Sequence, residues 1–85
     1  MTNLELAAVI LTTLGETGES PEGIMYAGLM GVTDIDTFKA VTFALVSSGL
    51  LERTGLHRLR ITSKGRELAA KIESAIKERK EAVNA

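Results

Sequence analysis

Apolar residues recur at helical spacing in four stretches of the chain and at alternating spacing in one. In the first stretch Leu4, Ala7, Ala8, Leu11 and Leu14 share a face, and Leu6, Val9 and Ile10 widen it. A helix apolar most of the way round is predicted to pack on two sides. Thr2-Asn3-Leu4-Glu5 reads as its capping box, with Gly15 as a left-handed terminator after about Leu14. Glu16 to Glu19 reads as a polar loop. Ser20 is then the expected N-cap of a second helix, with Pro21 at its first position, running to about Met30 and closed by Gly31. Met25, Tyr26 and Met30 are expected in the core, with a ligand pocket or subunit contact as the alternative.

Thr33 is the expected cap of a third helix, and Asp34 and Asp36 suit the positive end of its dipole. Ile35, Phe38, Val41 and Leu45 should face the core, and the helix should end near Ser48 with Gly49 beyond it. Leu50 to Arg53 and Leu56 to Thr62 read as two short strands joined at Thr54-Gly55. In the second, Leu59 and Ile61 point one way while Arg58, Arg60 and Thr62 point the other. Thr62 or Ser63 caps a last helix over about 64–82. Its apolar stripe is Leu68, Ile72, Ala75 and Ile76, and Glu67–Lys71 and Glu73–Lys77 are spaced as ion pairs. The expected class is mainly α with a small β-hairpin.

Composition narrows the function classes. The 85 residues suffice for one domain, spanning 1–85, and 45% hydrophobic with 25% charged residues is ordinary for a globular chain. No cysteine and one histidine leave no disulfide, thiolate site or multi-histidine metal cage. No nucleophile–base arrangement or phosphate loop is visible, so neither an enzyme nor a cofactor is expected. The longest apolar run, Leu6 to Leu11, is far short of a membrane span, and no basic leader precedes it; a cytoplasmic protein is expected.

The net charge of −1 conceals an asymmetry. Residues 1–52 carry seven acids against Lys39, a net of −6, and residues 53–85 carry nine bases against four acids, a net of +5. Between Arg53 and Arg66 lie Arg53, Arg58, Arg60, Lys64 and Arg66, with His57 and no acid. Such a cluster suggests a surface that faces a polyanion. The bland alternative is a solvated strand face that guards a sheet edge.

From Thr33 onward, about half the chain resembles the winged helix-turn-helix DNA-binding family, particularly MarR-like and PadR-like regulators. The resemblance rests on Phe38, Val41 and Leu45 leading into Gly49-Leu50-Leu51-Glu52-Arg53. Leu59-Arg60-Ile61-Thr62-Ser63-Lys64-Gly65-Arg66-Glu67-Leu68 then follows. It implies a three-helix core, a hairpin wing and a C-terminal helix, acting as a homodimeric transcriptional regulator on double-stranded DNA. Arg53, Arg58, Arg60 and Lys64 would then grip phosphates, with His57 at the hairpin tip, while Thr37, Lys39 and Phe43 face the major groove. In that family the terminal helices build the dimer, which implicates Ile72, Ile76 and Arg79.

The outer face of the third helix departs from the family pattern. Asp36, Ala40, Phe43 and Ser47, flanked by Thr37 and Lys39, include no Arg, Gln or Asn to read base edges. The alternative expectation is therefore a protein-interaction or adaptor module using the apolar Ala40/Phe43 face. The two readings part on one point: the DNA reading needs the hairpin guanidiniums turned outward and not neutralised by carboxylates of the N-terminal half.

Overall fold

The computed structural model describes the backbone of residues 2–84 and the side chains of residues 2–78. Four helices and a small antiparallel sheet follow in the order α1 (Asn3–Thr17), β1 (Glu19–Pro21), α2 (Glu22–Leu29), α3 (Ile35–Ser47), β2 (Leu51–Gly55), β3 (Arg58–Ile61) and α4 (Ser63–Asn84). The mainly helical expectation holds, and the sheet has one strand more than expected. No helix among the described residues is long and apolar enough to cross a membrane.

The capping box forms as the sequence predicts. The Thr2 hydroxyl accepts from the Glu5 amide at 3.1 Å and the Glu5 carboxylate accepts from the Thr2 amide at 3.2 Å. The helix does not stop at Gly15. It runs one turn further, to Gly18, which has φ +83° and donates its amide to the Leu14 carbonyl at 2.7 Å. The reason lies in α4: an added Cβ at Gly15 would stand 3.4 Å from the Ala69 Cβ, so two small residues let the helices approach closely. That packing offsets the propensity cost of an interior glycine.

Ser20 is not a helix cap, and Glu19 is not in a loop. Glu19–Pro21 pairs antiparallel with β3, with Glu19 opposite Arg60, Ser20 opposite Leu59 and Pro21 opposite Arg58. The sheet order is β1-β3-β2, so β3 is the central strand and the proline sits on an edge, where its missing N–H breaks no ladder. Pro21 becomes the N-cap of α2, without a side-chain hydrogen bond; instead the Glu22 amide donates to the His57 carbonyl at 2.8 Å. Thr33 does not cap α3 either. Its amide closes the end of α2 on the Leu29 carbonyl, and Asp34 caps α3 by accepting from the Thr37 amide at 2.9 Å. Thr37, through its side chain first and its amide second, holds the Asp34 carboxyl below its ordinary value.

The hairpin turns at Leu56-His57, two residues later than predicted. The register shifts between Arg53 and Gly55, and His57 takes φ +62°. The bulge absorbs the residue that a turn at Thr54-Gly55 would have used.

The core gathers Leu6, Ile10, Leu11 and Leu14 of α1, Met25 of α2, Phe38, Val41 and Leu45 of α3, Leu51, Leu59 and Ile61 of the sheet, and Ala69 of α4. The expected periodicities hold for most of these. Leu4 is exposed at the start of α1, and on α3 Ile35 is 40% exposed while Thr42 is buried in its stead, its hydroxyl donating to the Lys39 carbonyl at 3.0 Å. Tyr26 packs on Phe38 with ring centroids 5.5 Å apart, and Met30 lies outside the core. On α4, Leu68 and Ile72 are half-buried while Ala75 and Ile76 are exposed.

The step from β3 into α4 is tight. The Thr62 hydroxyl reaches the Gly49 carbonyl at 2.6 Å and accepts from the Gly65 amide at 3.1 Å, so Thr62 is the expected cap. A Cβ at Gly65 would collide with the Leu50 carbonyl and the Ile61 side chain. Glycine is needed there for close approach of backbone to backbone.

Candidate functional site

The alternation of β3 does what its sequence predicts. Leu59 and Ile61 enter the core, and Arg58 and Arg60 stand exposed. The third strand then changes the meaning of the arginines. Register places Arg60 between Glu19 on β1 and Glu52 on β2. Arg60 donates through Nε to Glu52 at 2.6 Å, and Arg58 donates through Nε to Glu19 at 3.1 Å. Thr54 also donates to Glu19, and Arg53 pairs with Glu22 at the start of α2. The Thr54 hydrogen bond first, and the Arg58 bond second, hold the Glu19 carboxyl below its ordinary value.

The remaining cations of the cluster also have internal partners. Lys64 donates to the Ser48 carbonyl at 3.1 Å, at the end of α3, and Arg66 donates to the Gly15 carbonyl at 3.4 Å, in the last turn of α1. Basic side chains at helix C-termini satisfy carbonyls left without amide partners and suit the negative end of the dipole. Thus all five Lys and Arg residues from Arg53 to Arg66 engage other parts of the chain. Three guanidiniums are matched one for one by three carboxylates of residues 1–52. The arginines do face outward, but they are not the unneutralised row that a polyanion grip requires.

Helix α3 presents Asp36, Lys39, Ala40, Phe43, Ala44 and Ser47 to solvent. Phe43 is 69% exposed and Thr37 is half-buried. At the hairpin tip Leu56 is 87% exposed. Between α2, α3 and His57 of the hairpin, a notch of about 340 Å³ is lined by Glu22, Tyr26, Ile35, Phe38, Lys39 and His57. Lys39 and His57 are thus brought to one rim, next to apolar and aromatic walls. A second, apolar groove of about 320 Å³ runs between α1 and α2, past Val9, Thr13, Ile24 and Met25.

Of the expected dimer residues on α4, Ile72 is half-buried against the core and Ile76 is 48% exposed beside Thr12 and Glu73. The Arg79 side chain lies outside the described residues. Neither Glu67–Lys71 nor Glu73–Lys77 forms an ion pair; among the described residues the three ion pairs lie on the sheet and at the start of α2. Compared with protein-family models, curated proteins and solved structures, the chain matches none.

The residues that sequence reasoning missed are Glu19, Glu22 and Glu52. Their signal was the acidic first half itself, whose charge complements the basic hairpin within one molecule.

Proposed function

We propose that this chain is a winged-helix interaction module whose α3 face docks protein rather than reading base pairs, and that the partner is a second copy of the chain. The winged-helix reading is supported by the element order, by the sheet order β1-β3-β2, and by the Gly49 and Gly65 junctions of the resembling motif. The observation that carries the docking reading is Phe43, exposed at the centre of α3 between the small residues Ala40 and Ala44. A large residue flanked by small ones on one ridge is self-complementary about a twofold axis. A chain of this size, with a limited core, gains stability from such pairing. In sedimentation velocity the wild type should run as a dimer at about 100 μM and Phe43→Asp as a folded monomer. Two monomers, or two dimers, would remove this reading.

A second reading keeps double-stranded DNA as the partner, gripped by Arg53, Arg58, Arg60 and Lys64 with Lys39 of α3 alongside. It is favoured by the solvent exposure of Arg58 and Arg60. Duplex titration tests it: this reading requires micromolar affinity of the wild type and its loss in Arg58→Ala/Arg60→Ala.

A further inference from the structure

The three arginine–glutamate pairs have a geometry that goes beyond either reading. Each arginine of the hairpin donates to a carboxylate contributed by a different element: Glu19 by β1, Glu22 by the first position of α2, and Glu52 by β2. Two of these partners, Glu19 and Glu22, are brought in by the short edge strand and the helix that follows it. That segment is fixed to the hairpin by the β1–β3 ladder and by the Glu22 amide on the His57 carbonyl. A carboxylate offers a guanidinium the same charge-assisted acceptors as a phosphate does.

We infer that Glu19, Glu22 and Glu52 act as an intramolecular mask over a phosphate-binding surface, and that removing their charge unmasks affinity for the backbone of double-stranded nucleic acid. Arg53, Arg58 and Arg60 are exposed enough to meet a duplex without any change of fold. What they lack is net charge, because each brings an acid of its own. Binding of a duplex is driven by release of counterions from phosphates that the protein neutralises. A guanidinium already matched by a carboxylate releases few, so the native surface has little drive toward phosphate. With the three carboxylates made neutral, the same side chains stand as three unmatched cations around β3.

The test is a fluorescence-anisotropy titration of a 20-bp mixed-sequence duplex at low salt, using Glu19→Gln/Glu22→Gln/Glu52→Gln. The control is Glu67→Gln/Glu73→Gln/Glu78→Gln, which changes net charge equally but on α4. The mask predicts at least about a tenfold gain over wild type for the first variant, with a salt slope steeper by about 3. The control should change by less than about threefold, and adding Arg58→Ala/Arg60→Ala to the unmasked variant should abolish the gain. Equal gains in the two triple variants, or no gain in the first, would overturn the inference. Circular dichroism confirms that each variant is folded. If the triple variant unfolds, the single Glu52→Gln, with its gain reversed by Arg60→Ala, tests the same masking on the exposed hairpin. Wild-type affinity already micromolar and unaltered by unmasking would sink the mask while leaving the DNA reading standing.

Discussion

Strand β3 has two faces that are held in different ways. On the inner face Leu59 and Ile61 are buried against α1 and α4, where apolar burial is worth about 1.5–3 kcal/mol per large side chain. On the outer face Arg58 and Arg60 meet glutamates in solvent, where an ion pair contributes little to stability because water and salt screen it. The inner face therefore decides whether the chain folds. The outer face decides what the folded chain attracts, since each glutamate offsets the local positive charge of an arginine while adding little to stability.

The contrast sets the order of effects. Leu59→Ala should cost about 2–5 kcal/mol, through lost transfer energy and the cavity left behind. Read as the urea midpoint, that is a large share of the stability of so small a domain. On the outer face of the same strand, Arg60→Ala should cost under about 1 kcal/mol; equal shifts of the two midpoints would break the comparison. Gly65→Ala should follow at about 1–3 kcal/mol, because the added methyl must displace the Leu50 carbonyl where β3 passes into α4. An unchanged midpoint would show that this junction has slack.

The smallest effect is in acid. Glu19 is held below its ordinary value of 4.5 by Thr54 and then Arg58, and Glu5 below the same value by its Thr2 partner. A carboxyl with a depressed folded pKa stabilises the protein above its unfolded value, and that contribution is lost as pH falls through the folded value. The melting temperature should hold from about pH 7 to 5 and decline below about 4.5. Glu19→Gln should decline less over the same acid window, and an identical decline would show that Glu19 makes no stabilising contact.

Most of the fold was legible because its signals are local. The Thr2–Glu5 box, the 38, 41, 45 spacing of α3 and the alternation of Leu59 and Ile61 each sit within a few residues. Strand β1 was not legible, for two reasons. Three residues ending in proline read as a helix start, and the strand they pair with is far along the chain, with Arg58 lying 39 residues from its partner Glu19. The site inherited the same blindness. The sequence shows an acidic first half and a basic hairpin, and a polyanion was the expected complement to the hairpin. With β1 in place, the nearer complement is Glu19 and Glu22 of the chain itself. Phe43 was legible as an apolar position opposite the core face, and the structure leaves it in solvent.

Whether the hairpin arginines are matched inside the molecule decides what this surface attracts. The most direct measurement is titration of wild type and Arg58→Ala/Arg60→Ala with a 20-bp duplex across a range of salt. Internal matching predicts weak binding, with a shallow salt slope, that the alanine variant barely changes. Micromolar wild-type affinity with a steep slope, lost when both arginines are removed, would contradict it and restore the hairpin as a grip on DNA.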